Sequence, residues 1–119
     1  MIIILVCLLA GVAAAIYIPF TFSSVAAKYI AIAILAGLDS VFGGLAAAAN
    51  NSFKIKIFLT GFFGNAIVAA LLTYMGSLLN VDMSIAAVVV FGTRIFSNFA
   101  ILRRFILEKY MSEKETKNL

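Results

Sequence analysis

Long apolar runs alternate with short polar breaks along the whole chain. Four runs cover residues 2–18, 25–49, 53–79 and 84–102, and the pair Arg103–Arg104 follows the last one. A helix needs about 20 residues to cross the hydrocarbon core of a bilayer, so the last three runs are long enough and the first is marginal. None of the runs shows the period-2 alternation of a membrane β-barrel strand. The pattern therefore predicts an all-α integral membrane protein with four transmembrane helices.

Composition supports lipid as the solvent. The chain is 65% hydrophobic and 12% charged, with a mean hydropathy of +1.16, whereas soluble domains are about 45–50% apolar and about 25% charged. We expect a four-helix transmembrane domain over residues 1–107 and a short polar tail of mixed charge over 108–119. The first run lacks the basic n-region of a signal peptide, so we interpret it as a retained span.

Positive charges predict the orientation. With four spans, one side of the membrane receives five basic residues that flank the runs: Lys54, Lys56, Arg103, Arg104 and Lys109. The opposite side receives only Lys28 and the acidic Asp82. Cytoplasmic loops carry an excess of Lys and Arg, so both termini are predicted to be cytoplasmic. The net charge of +4 then indicates contact with anionic lipid headgroups rather than with nucleic acid.

The residue inventory excludes several kinds of chemistry. The chain has no histidine, and its one cysteine, Cys7, lies in an apolar run. Transition-metal sites and triads with a histidine base are therefore not expected. Asp39 is the only acid inside a run, so no pair of carboxylates is available for acid–base catalysis. We predict no catalytic site, no metal and no cofactor.

Four polar residues interrupt the runs: Asp39, Asn65, Arg94 and Asn98. Counted from the polar ends of their runs at 1.5 Å per residue, the first three lie at a similar depth of about 14–16 Å. A charge inside a span costs about 2.5–3.5 kcal/mol on insertion scales and is usually paired. We predict a buried ion pair between Asp39 and Arg94, with the two asparagines occupying the remaining donors and acceptors.

Small residues accompany the polar ones. Five glycines are predicted to let the helices pack closely: Gly43, Gly44, Gly61, Gly64 and Gly92. Such residues are enriched where helices meet in lipid. Three roles of the polar cluster stay open at this point. The pair could fix helix register, line a pathway for a solute or ion, or form a polar contact with another membrane protein.

Three motifs in order carry a family resemblance: "LDSVFGG" (38–44), "GFFGN" (61–65) and "FGTRIFSNFAILRR" (91–104). Together they resemble the small basic protein family of Gram-positive bacteria, over roughly residues 28–107. Members of that family look like integral membrane proteins encoded beside cell-division genes, and the family is essentially uncharacterised. The resemblance implies the bacterial cytoplasmic membrane and a link to division or envelope growth, but no activity.

Two functional hypotheses follow. The first is a non-enzymatic scaffold or partner subunit that contacts other membrane proteins of the division or envelope machinery. The alternative is a small oligomeric transporter or channel with the Asp–Arg–Asn site at mid-membrane. The first run lacks the acid of small multidrug exporters, and "GFFGNAIVAA" lacks the Phe–Ser-rich stretch of fluoride channels. A homodimer stays open, because four short helices cover a charged pair only thinly. An intramembrane enzyme is the least favoured hypothesis.

Overall fold

The computed structural model describes residues 2–19 and 21–119; Met1 and Phe20, which the predicted domain 1–107 includes, lie outside the described residues. The regular structure of the described residues consists of α1 (Ile2–Tyr17), α2 (Ser24–Ala49), α3 (Ile55–Leu78) and α4 (Ser84–Lys117). The prediction of four helices is confirmed. By length and composition α2, α3 and α4 can each cross a membrane, whereas α1 is apolar but has only 16 residues.

Helices α2 and α3 end in the same kind of turn. Asn51 and Asn80 adopt the left-handed conformation, with φ of 57° and 54°. The N–H of the next residue, Ser52 or Val81, donates to the carbonyl five residues earlier at 2.8 and 2.9 Å. Asparagine tolerates this conformation and commonly closes a helix in this way. The "NNS" and "NVD" breaks of the sequence are therefore tight turns between consecutive helices.

Helix α2 is the centre of the molecule. It packs against both α3 and α4, which contact each other far less. The core is small and consists of Ile32 and Ala36 from α2, Ala69 from α3, and Ala87 and Phe91 from α4. Alanines at these positions let the helix backbones approach closely. None of the described residues of α1 is buried, so the core is made by the other three helices.

Helix α4 does not end at the basic pair. It continues without interruption to Lys117, whereas the sequence predicts a span over 84–102 and a short polar tail over 108–119. Residues 105–117 contain no glycine or proline and are rich in strong helix formers. Glu113 and Lys117 have the favourable i, i+4 spacing, and Lys114 and Lys117 lie at the negative end of the helix dipole. All side chains of this extension are exposed.

Candidate functional site: a polar cluster beside an open groove

Asp39 lies in the middle of α2 and is 0% exposed. Its Oδ2 is 3.3 Å from Nη1 of Arg94, and it accepts a hydrogen bond of 3.4 Å from Nδ2 of Asn65. The structure thus brings together one residue from each of the three long helices. We refer to Asp39, Asn65 and Arg94 as the polar cluster.

Asn98 does not join the polar cluster. Its Nδ2 lies 3.6 Å from the position that a Cβ on Gly43 would occupy, so it packs against Gly43 of α2. Asn98 is one helical turn beyond Arg94, and counting residues estimates depth rather than the direction in which a side chain points. Among the described residues, Asn98 therefore makes no hydrogen bond to Asp39 or Arg94, and the prediction that it would do so is wrong.

The cluster leaves hydrogen-bonding capacity unused. Both donors reach the same carboxylate oxygen, and the other, Oδ1 of Asp39, is buried without a partner among the described residues. Oγ of the neighbouring Ser40 is also buried without a partner among the described residues, and Ser40 as a whole residue is 9% exposed. A buried polar atom without a hydrogen bond costs about 1–3 kcal/mol. Oδ1 of Asp39 lacks a donor, and the Ser40 hydroxyl neither donates nor accepts a hydrogen bond among the described residues, so the cluster is incomplete within this chain.

An open groove of about 240 Å³ runs between α2 and α3 beside the cluster. We call it the Asp39 groove. Its walls include the three cluster residues, Ser40, and the glycines Gly43, Gly44 and Gly61, and it extends to Lys54 at the polar break between the helices. The side chain of Arg94 is 51% exposed. One partner of the ion pair is therefore fully covered by the chain, and the other is only half covered.

A second cleft of about 210 Å³ separates α3 from α4. Asn65 and Arg94 line it together with apolar side chains such as Val68, Leu72 and Phe91. It exists because α3 and α4 make few contacts with each other. Asn65 and Arg94 can therefore be reached from both sides of α3.

The glycines predicted to mediate packing divide into two groups. Gly43 contacts Asn98 of α4 and therefore faces a neighbouring helix, and Gly44 beside it is buried. At Gly61, Gly64 and Gly92 an added Cβ would meet no atom within 4 Å. These three glycines do not mediate a helix contact among the described residues.

Two glycines outside the predicted set do make close contacts. A Cβ on Gly37 would lie 3.1 Å from the ring of Phe62. A Cβ on Gly76 would lie 2.5 Å from the carbonyl oxygen of Val81 and 3.0 Å from Met83. Neither glycine belongs to a glycine pair or to a polar motif, and no signal in the sequence separates them from the glycines with open space around them.

Lys28, Asp82 and Ser84 form a polar contact that the sequence did not predict. It lies at the end of the helices opposite to Lys54. Nζ of Lys28 lies 3.0 Å from Oδ1 of Asp82. The Ser84 N–H donates to the same oxygen at 3.2 Å, and so does the Ser84 hydroxyl. The hydrogen bond from the Ser84 side chain, followed by the one from Lys28, lowers the pKa of Asp82. The "DMS" pattern, an acid two residues before a serine at a helix start, is a signal that could have found this capping contact.

The five basic residues predicted to contact lipid headgroups, Lys54, Lys56, Arg103, Arg104 and Lys109, are all exposed. Lys54 also lines the Asp39 groove. Contact of these residues with lipid stays a prediction.

Three long apolar helices around a buried carboxylate define a small all-helical protein whose helices are consistent with a membrane protein. The family can be named more closely. Residues 22–107 match the family described as protein of unknown function (DUF1290), and the chain belongs to this family. The matched range covers α2, α3 and most of α4, and so includes the whole polar cluster and Asn98.

Individual relatives agree with this family. The chain is 36% identical to the small basic protein of Bacillus subtilis (strain 168) over 113 residues, which are 94% of this chain and 93% of that protein. It is 49% identical over 78 residues to uncharacterised proteins of Mycobacterium bovis and Mycobacterium tuberculosis, covering 64% of this chain and 64% of each relative. The resemblance to small basic proteins seen in the three motifs is thereby confirmed. No solved structure matches the chain.

Proposed function

We propose that this chain is a non-enzymatic integral protein of the bacterial cytoplasmic membrane and that it acts as a scaffold or partner subunit in a cell-division or cell-envelope complex. One observation carries the proposal: the half-exposed Arg94 beside the open Asp39 groove, at mid-length of the spans. A guanidinium that faces lipid at this depth costs about 2.5–3.5 kcal/mol on insertion scales. Contact with another membrane protein removes that cost, whereas a pair that only fixed helix register would need no opening.

Two further points support a partner subunit. The chain offers no nucleophile–base pair inside its spans, where Asp39 is the only acid. The link to division or envelope growth rests on the small basic protein resemblance, which implies genes encoded beside cell-division genes. The orientation with both termini in the cytoplasm rests on the distribution of Lys and Arg.

Affinity isolation tests this function. The chain is tagged at its own gene, so that it stays at its native level, and is isolated in a mild detergent. We expect defined membrane proteins to be recovered with the chain. The control is a second tagged protein with four spans, expressed at the same level, which should not recover them. Recovery of the chain alone, with its fold intact, would contradict a role as a partner subunit.

The alternative is a small oligomeric transporter or channel. It is favoured by the groove, which leads from the polar break at Lys54 to the cluster at mid-length of the spans. The full burial of Asp39 and its pairing with Arg94 speak against a site that releases an ion or proton easily. Ion or proton flux in proteoliposomes that disappears in Asp39→Asn would establish transport, and absence of flux would leave the partner-subunit role.

A further inference from the structure

We propose that the Asp39 groove binds one transmembrane helix of a different membrane protein, and that this helix carries a neutral carboxamide or hydroxyl side chain at mid-membrane. The inference rests on the proposed function and names the chemistry of the partner. Three properties of the groove carry it: unsatisfied acceptors, space and charge.

The unsatisfied acceptors require a donor. Asp39 and Ser40 belong to the lining of the groove, and Oδ1 of Asp39 and Oγ of Ser40 are buried without a partner among the described residues. Lipid tails cannot donate a hydrogen bond, and water is scarce at mid-membrane. An N–H or O–H group that entered the groove and reached Oδ1 would give this carboxylate oxygen its missing hydrogen bond and remove the cost of leaving it unpaired.

The groove has room for a close neighbour. Gly43, Gly44 and Gly61 form part of its walls, and a Cβ on Gly61 would meet no atom within 4 Å. Glycines in this position let the backbone of another helix approach closely. The volume of about 240 Å³ accommodates side chains of an adjacent helix.

The charges of the cluster favour a neutral occupant. Asp39 and Arg94 formally cancel, so a charged side chain would introduce an uncompensated charge at low dielectric. Arg94 has five N–H donors, and one of its nitrogens, Nη1, contacts Asp39. A carboxamide can donate to Oδ1 of Asp39 and accept from Arg94 at once, and a hydroxyl can do the same with a single atom.

A second copy of this chain fits the groove less well. Thr93, Ser97 and Asn98 lie within a turn of Arg94 on α4, so a copy that presented them would bring a second guanidinium to the first. Helix α1, none of whose described residues is buried, is apolar throughout between Cys7 and Tyr17 and offers no carboxamide or hydroxyl at its middle. For α4 and α1 of a second copy, charge and chemistry are therefore unfavourable, and the crosslinking experiment distinguishes a different protein from a copy that presents α3.

Photocrosslinking at Gly61 and Gly64 in cells tests the occupant. Both glycines have open space around a Cβ, but only Gly61 lines the groove, so position 64 is the matched control. We expect an adduct at position 61 whose crosslinked peptide maps to a transmembrane helix of another protein. Replacing the Asn, Gln, Ser or Thr of that helix by Leu should abolish the adduct. An adduct between two differently tagged copies, an adduct with lipid alone, or equal adducts at both positions would overturn the proposal.

A paired substitution separates this inference from the proposed function. Gly61→Leu fills the groove and should reduce the recovered partner about tenfold or more, while Gly64→Leu should leave recovery unchanged. Thermal unfolding in detergent verifies that both variants are folded, and Gly61→Val replaces Gly61→Leu if the latter does not accumulate. Undiminished recovery in a folded Gly61 variant refutes the groove as the binding site and leaves the partner-subunit role intact. Failure of the unmodified chain to recover any partner refutes both.

Discussion

At the scale of single residues, the two charges of the polar cluster are not equivalent. Asp39 is 0% exposed, whereas the Arg94 side chain is 51% exposed. Arg94 can turn its guanidinium toward other acceptors when its partner is lost, because long basic side chains can extend their charged ends toward polar groups or water. The buried carboxylate has no such freedom. The stability of the bundle should therefore depend on Arg94 more strongly than on the negative charge of Asp39.

This asymmetry gives a prediction for charge removal. Arg94→Gln leaves an unpaired carboxylate in the interior and should lower the free energy of unfolding by about 3–5 kcal/mol. Asp39→Asn should cost less, and the neutral double variant should recover much of the loss of Arg94→Gln. Unfolding in detergent measures all three. Arg103→Gln, at an exposed site, is the control and should be nearly neutral. Equal losses in both single variants, without recovery in the double, would contradict the prediction.

A second prediction at this scale concerns glycine. Gly76→Ala places a Cβ 2.5 Å from the Val81 carbonyl, so the turn between α3 and α4 must shift, and we expect a loss of about 1–3 kcal/mol. Gly92→Ala meets no atom within 4 Å and should be neutral or slightly stabilising, because alanine is the better helix former. Thermal unfolding in detergent distinguishes the two. A larger loss for Gly92→Ala would show that its open face is covered in the protein–detergent complex.

At the scale of helices and turns, Asp82 holds the start of α4 and the first part of α2 together through Ser84 and Lys28. Its pKa is lowered in the folded protein, mainly by Ser84 and then by Lys28. The stabilisation from this carboxylate is therefore fully present above its ordinary value of 3.8 and is lost as the pH falls through the lowered pKa.

The prediction compares Asp82→Asn with the unmodified chain. At neutral pH the unmodified chain should have the higher midpoint of thermal unfolding, and the difference should shrink as the pH falls below the ordinary value for aspartate. Glu115→Gln removes an exposed acid near the end of α4 and controls for net charge. A difference between Asp82→Asn and the unmodified chain that stayed constant down to acidic pH would show that the hydrogen bonds of this turn do not depend on ionisation.

The helices were predictable from the sequence because length and hydropathy determine whether a segment suits a span. The meeting of Asp39, Asn65 and Arg94 was predictable because the three residues share a depth and because a charge inside a span is usually paired. The position of Asn98 beside Gly43 was not, because depth does not specify the side of a helix. The same limit applies to Gly64 and Gly92, which face open space, and to Gly37, which contacts Phe62. The sequence "EKYMSEKETK" looked like a polar tail because hydropathy says nothing about helix propensity, which extends α4 to Lys117.

At the scale of the whole molecule, the charges are unequal at the two ends of the helices. Lys54, Lys56 and the Arg103–Arg104 pair lie exposed at one end. At the other, Lys28 is paired with Asp82 at 3.0 Å, so its charge is largely compensated. The Lys28–Asp82 ion pair thus increases the difference in charge between the two ends of the helices that the sequence already shows. The side whose basic residues form no ion pair with the described residues is the one expected in the cytoplasm, next to anionic lipids.

Cysteine labelling in intact cells tests this orientation, which also determines from which side the Asp39 groove is entered at Lys54. In a Cys7→Ala background, Ser52→Cys and Asn80→Cys place single thiols in the two exposed turns. A membrane-impermeant maleimide should label Asn80→Cys but not Ser52→Cys, and both should react after permeabilisation, which controls for accessibility. The opposite labelling would reverse the topology. The groove would then be entered from outside the cell, and its partner helix would have to be sought among proteins with the reverse orientation.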